Sequence, residues 1–157
     1  MLLATKRSNA SVGKARFAIV ASQYNSLYVD AMVDAAKAEL KRANAKDVKI
    51  IRVPGAFEIP VVATRLARSS KRAAIICLGV ILRGETTHAA HIGEAVTHAL
   101  MDVQLRYEIP VIHEVLLLEN EQQAQARCLG KTHNRGTEAA QTALAMATVM
   151  ESLDPIF

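Results

Sequence analysis

The chain has no tryptophan, two cysteines, four prolines and an aromatic content of only 4% in 157 residues. So few rings leave little surface on which nucleobases could stack, which argues against a nucleic-acid-binding module. The cysteines, Cys77 in an apolar run and Cys128 in a predicted helix, are too few and too plainly placed for a disulfide framework or a zinc cluster, and fit a reducing cytoplasm. No apolar run reaches the roughly 18 residues that a membrane span requires. The motifs GxGxxG, GxxxxGK[ST], GxSxG and HExxH are all missing, as are acidic residues at the end of the first predicted strand. Dinucleotide, nucleoside-triphosphate, esterase, metalloprotease and phosphoacceptor chemistries therefore lose their usual signatures.

What remains is a globular composition, 51% hydrophobic and 22% charged, sized for one domain. The formal charge of +4 favours anionic partners. Its basic residues (Arg42, Lys49, Arg65, Lys71, Arg106, Arg127) are scattered rather than striped, which suits a phosphorylated small molecule better than nucleic acid. Residues 1–15, "MLLATKRSNASVGKA", read as a flexible N-terminal arm, and 16–157 as a single domain.

Short apolar runs alternate with longer helical periods. Strands are predicted at 16–22, 48–53, 73–81 and 111–118, and helices at 26–43, 57–68, 87–107, 120–128 and 137–151. The βαβαβαβα order implies a parallel sheet with helices on both faces. Gly130 and Gly136 are expected to take left-handed conformations between the last two helices. Ligands of such sheets bind beyond the carboxyl ends of the strands, which singles out the loops at 22–26, 54–58, 80–88 and 113–120.

Each loop carries an open question. Tyr24 is either an ordinary surface aromatic or a ring for a heterocycle to stack on. Pro54-Gly55 forces a turn, after which Glu58 either satisfies a helix dipole or accepts from ligand hydroxyl groups. "RGETTH" (83–88) reads equally as a helix cap or as a phosphate cradle with His88 beside it as a proton shuttle. His91 and His98 are expected to face solvent or a neighbouring subunit, and metal binding has no supporting spacing.

Together, "VPGAFEIP", "LGVILRGETTH", "THALMDVQL" and the tail from Asn120 to Met150 closely resemble the 6,7-dimethyl-8-ribityllumazine synthase family over about residues 16–151. The resemblance implies a three-layer α/β sandwich with a four-stranded, mainly parallel, flavodoxin-like sheet. It implies a cofactor-free, metal-free condensation of 5-amino-6-(D-ribitylamino)uracil with 3,4-dihydroxy-2-butanone 4-phosphate in riboflavin biosynthesis. Carried over by position, it makes His88 the proton donor, while Tyr24, Ala56, Phe57, Glu58, Val80, Ile81, Leu82 and His113 bind substrate. Glu85, Thr86 and Arg127 would hold phosphate, with His113 and Arg127 entering from an adjacent subunit.

The same resemblance implies a cytoplasmic homo-oligomer built from pentamers, up to an icosahedral capsid, with riboflavin synthase a possible partner and neither nucleic acid nor membrane involved. The chain departs from the family pattern at three places. His113 replaces an aromatic, "HEVLLLEN" replaces a Gly-Val-Leu-Thr-Thr run, and Ala89-Ala90-His91 replaces aromatic-Asp-Tyr. A competing reading is a weakly active or inactive paralogue that binds flavin or lumazine or builds a shell.

Overall fold

The computed structural model describes residues 12–69 and 71–153. Residues 1–11 of the expected arm lie outside them. Val12 and Ala15 pack against the core, and the Val12 N–H donates to the Ala43 carbonyl.

Four strands, β1 (Arg16–Ser22), β2 (Asp47–Val53), β3 (Ala74–Leu82) and β4 (Val111–Leu118), form one sheet in the order β2-β1-β3-β4 with every pairing parallel. Their continuous apolar character follows from burial on both faces. Phe17, Ile19, Ala21, Ile76, Leu78 and Ile112 point to one side, Ala18, Val20, Ile75, Cys77, Val111 and Val115 to the other. Helices α1 (Ser26–Arg42) and α5 (Arg135–Leu153) cover the first face through Val29, Met32, Ala36, Leu40, Ala140 and Leu144. On the second, α2 (Ile59–Ser69) and α3 (His88–Tyr107) bury Ile59, Ala63, Leu66, Val96, Leu100 and Val103. This is a three-layer, flavodoxin-like α/β sandwich. A short helix α4 (Glu121–Cys128) follows β4, capped by the Asn120 side chain accepting from the Gln123 N–H at 2.9 Å.

The elements match the sequence reading to within two residues at nearly every end, and the differences have local causes. The helix expected from 57 splits into a 3-10 turn, Ala56–Glu58, followed by α2. Pro60 has no N–H to donate to the Ala56 carbonyl, and Ile59 supplies a tighter bond to it instead. α5 begins two residues early because Asn134 bridges the junction. Its amide donates to the Cys128 carbonyl at 2.6 Å while its oxygen accepts from the Gly136 N–H at 2.8 Å.

Gly130 and Gly136 do not take left-handed conformations; no glycine among the described residues does. Gly136 is needed for a different reason. A Cβ there would stand 2.0 Å from the Met32 carbonyl oxygen, where α5 crosses α1 backbone to backbone. Left-handed positions fall to Asn25, Asn44 and Glu108, the first two being of the residue type that tolerates them best. Gly136→Ala is expected to lower the unfolding free energy by about 2 kcal/mol or more, since overpacking against backbone cannot relax by a rotamer change. Gly84→Ala, with nothing within 4 Å of its added carbon, leaves stability unchanged. Urea denaturation of the two variants checks this, and equal midpoints would refute it.

Candidate active site

The strand order puts the site where β1 and β3 lie side by side. The chain leaves β1 for α1 on one face and β3 for α3 on the other, so the carboxyl ends of these neighbouring strands open into a crevice. A cavity of about 1020 Å³ occupies it. Tyr24 enters from the β1–α1 loop, and Ala56, Phe57 and Glu58 from the 3-10 turn. Val80, Ile81 and Leu82 form the strand end, and Gly84, Thr86 and His88 follow it.

The three loops are tied together by main-chain geometry. The Gln23 N–H donates to the Val53 carbonyl at 2.7 Å, and the Tyr24 N–H to that of Pro54 at 3.1 Å. Asn25, held at a positive φ of 55°, donates from Nδ2 to the Val80 carbonyl at 2.7 Å. That bond spans the crevice and engages the Val80 oxygen, while the pairing of β3 with β4 continues through Ile81 and Leu82.

The rim is apolar and exposed. Tyr24 is 75% exposed and Phe57 62%, too much for core packing to account for either ring. Glu58 accepts from the Gly55 N–H at 2.9 Å, which fixes one carboxylate oxygen and aims the group at the cavity. In "RGETTH" the cap is weak. Thr87 makes no side-chain bond to the helix, and Thr86 Oγ1 accepts from the His88 N–H at only 3.4 Å. The first turn of the 20-residue helix α3 therefore keeps N–H groups for an anion. Glu85 is exposed and does not line the cavity.

His113 and Arg127 do not line it either. His113, on edge strand β4, accepts at Nδ1 from the Val115 N–H at 3.1 Å. The neutral ring thus carries its proton on Nε2, 2.8 Å from Thr97 Oγ1, which in turn donates to the Gly93 carbonyl. Burial lowers its pKa below 6.5. Arg127 closes α4 near Glu114, Arg135 and Glu138. Glu114 is pushed up to about 7 because burial outweighs the attraction of Arg135 at 3.7 Å. Both cysteines are buried, with thiols raised to about 12 (Cys77) and about 11 (Cys128), so neither is a ready nucleophile. Among the described residues no group of three or more His, Cys, Asp or Glu is placed to hold a metal ion, and no helix is long and apolar enough to cross a membrane.

Asn25, His91, Ile92 and Ala95 line the cavity without having been singled out for it from sequence. The last three follow His88 at helical spacing, a signal that could have marked them. His98, by contrast, stands 3.8 Å from Glu94 on the exposed side of α3.

Because the folded chain binds a proton at His113 less readily than the unfolded chain, stability is full above pH 6.5 and falls as pH drops through that value. His113→Gln is expected to lose less stability than wild type between pH 7 and pH 5, as read from thermal midpoints; parallel curves would contradict the assignment.

Three comparisons bear on this geometry. A family model described as 6,7-dimethyl-8-ribityllumazine synthase matches residues 14–151. The chain is 42% identical over 141 residues to the 6,7-dimethyl-8-ribityllumazine synthase of Xanthomonas oryzae pv. oryzae (strain PXO99A), covering 88% of this chain and 92% of that one. It is 41% identical to the enzyme of that name from Stenotrophomonas maltophilia (strain R551-3), covering 88% and 91%. The cavity at the β1–β3 split thus sits in a chain that belongs to the 6,7-dimethyl-8-ribityllumazine synthase family.

Proposed function

We propose that this chain condenses 5-amino-6-(D-ribitylamino)uracil with 3,4-dihydroxy-2-butanone 4-phosphate, giving 6,7-dimethyl-8-ribityllumazine, phosphate and water. Family membership supports the reaction. The observation that carries the assignment of parts is the convergence of an exposed ring, a fixed carboxylate, an open strand end and a histidine at a weakly capped helix start on one cavity.

In this reading Tyr24 stacks on the pyrimidine and the strand end Val80, Ile81 and Leu82 meets its polar edge, largely with main-chain groups. Ala56, Phe57 and Glu58 line the ribityl chain, with the open carboxylate oxygen of Glu58 accepting from its hydroxyls. Phosphate rests on the main chain around Glu85 and Thr86 at the positive end of α3. The substrates bring an amine and a carbonyl that react readily once aligned, so the protein mainly orients them and moves protons. His88 protonates the departing hydroxyl as the imine forms, relays a proton as phosphate leaves, and serves again at ring closure.

His113 and Arg127 fit this reaction only if a second copy supplies them. Both lie on β4 and α4, at the sheet edge away from the β1–β3 split. Apolar side chains stand exposed on both sides of such a joint: Leu27, Phe57 and Val61 near the cavity, Met101, Leu105 and Leu117 toward β4. Two different patches that meet head to tail close into a ring when the rotation between copies allows it, and we infer the family's pentamer, with Arg127 of one copy clamping phosphate in the cavity of the next. Larger shells and a cytoplasmic location belong to the same proposal. The reading as a poorly active paralogue is not favoured, since curated relatives with the enzyme's name share 40–42% of its sequence.

Purified protein supplied with both substrates is expected to form the product, followed by lumazine absorbance; no product at any protein concentration refutes the function. His88→Ala is expected to slow turnover roughly a hundred-fold or more while still binding the ribityl substrate. Wild-type turnover in that variant would remove His88 from the proton path.

A further inference from the structure

The proposed reaction employs one imidazole, yet two stand in the cavity wall. His91 lines the same space as His88, three residues further along α3. Residues at this spacing are neighbours on a helix, and each Cα–Cβ bond tilts toward the N-terminus, so His91 leans back over the turn that begins with His88. Both side chains are exposed, and neither ring has a hydrogen-bond or ion-pair partner among the described residues. His113 and His98 differ on this point, the first bonded at both nitrogens and the second beside Glu94.

Charge gives the unpartnered pair its role. No lysine or arginine lines the cavity. Sharing the cavity wall with His91 are Glu58 from the 3-10 turn, Tyr24 from the β1–α1 loop and, on its own helix, His88; the strand end Val80–Leu82 carries no ionisable group, and Glu94 lies outside the lining. A phosphomonoester adds about two negative charges at neutral pH. Within one chain, only the two imidazoles can offset them with positive charge at the cavity wall.

We propose that His91 is a second ligand-contacting imidazole of this cavity, donating to the phosphate-bearing substrate beside His88 and thereby setting its affinity. This rests on the function proposed above.

The test maps modification of each histidine by diethyl pyrocarbonate in the intact protein, by peptide mass, with and without inorganic phosphate. Phosphate is expected to slow reaction at His91 and His88 several-fold while leaving His98 and His133 unchanged. His91→Gln is expected to raise KM for the phosphate substrate about three- to ten-fold, with kcat within two-fold. A His91 that reacts equally with and without phosphate, or not at all, overturns the proposal, as does an unchanged KM. If protection is absent but product still forms, His91 alone has been misassigned; if no product forms, the proposed function has failed as well.

Discussion

The parallel pairing of β1 with β3 is the constraint on which the functional end of this molecule depends. Phe17 to Ala21 lie in register with Ala74 to Leu78, both strands buried on both faces. Burial of this kind leaves no slack in register, because a one-residue slip would exchange the side chains of the two helical layers. With the strands so fixed, the chain has to leave them toward opposite faces, and the gap between the departures becomes the cavity. Asn25 then locks the gap at its mouth. Its left-handed backbone turns the chain into α1 while its amide reaches the Val80 carbonyl.

From that point the chemistry follows from what is left unsatisfied. Ordinary packing would bury Tyr24 and Phe57, and an ordinary cap would occupy the start of α3. Here the rings stand in solvent and Thr87 contributes no cap. The His113–Thr97–Gly93 chain, which fastens β4 to α3, is by contrast paired at every polar atom of the ring. The contrast separates side chains that maintain the sheet edge from those available to a ligand.

The sequence disclosed the elements and the layering well, because continuous apolar runs mark strands buried on both faces and a period of 3.6 marks helices buried on one. Tyr24, Glu58 and His88 were visible as chemical types at strand ends, and only the fold could bring them together. Asn25 was hidden, since an asparagine before a helix reads as an ordinary cap and its bond to Val80 spans 55 residues. The role of Gly136 was misread for a related reason. A glycine between helices suggests a left-handed turn, while the close approach of Met32 depends on a crossing that no local pattern encodes. His113 and Arg127 were expected at the site through family resemblance, and one chain keeps both away from the cavity.

That separation makes the shared cavity the central claim, and mixing two damaged forms tests it most directly. His88→Ala and Arg127→Ala chains, each impaired alone, would be unfolded together and reassembled. If cavities are completed between copies, random assembly makes about one quarter of them intact, and activity rises toward a quarter of wild type. Activity no higher than the average of the two separate variants would contradict a site built from two chains.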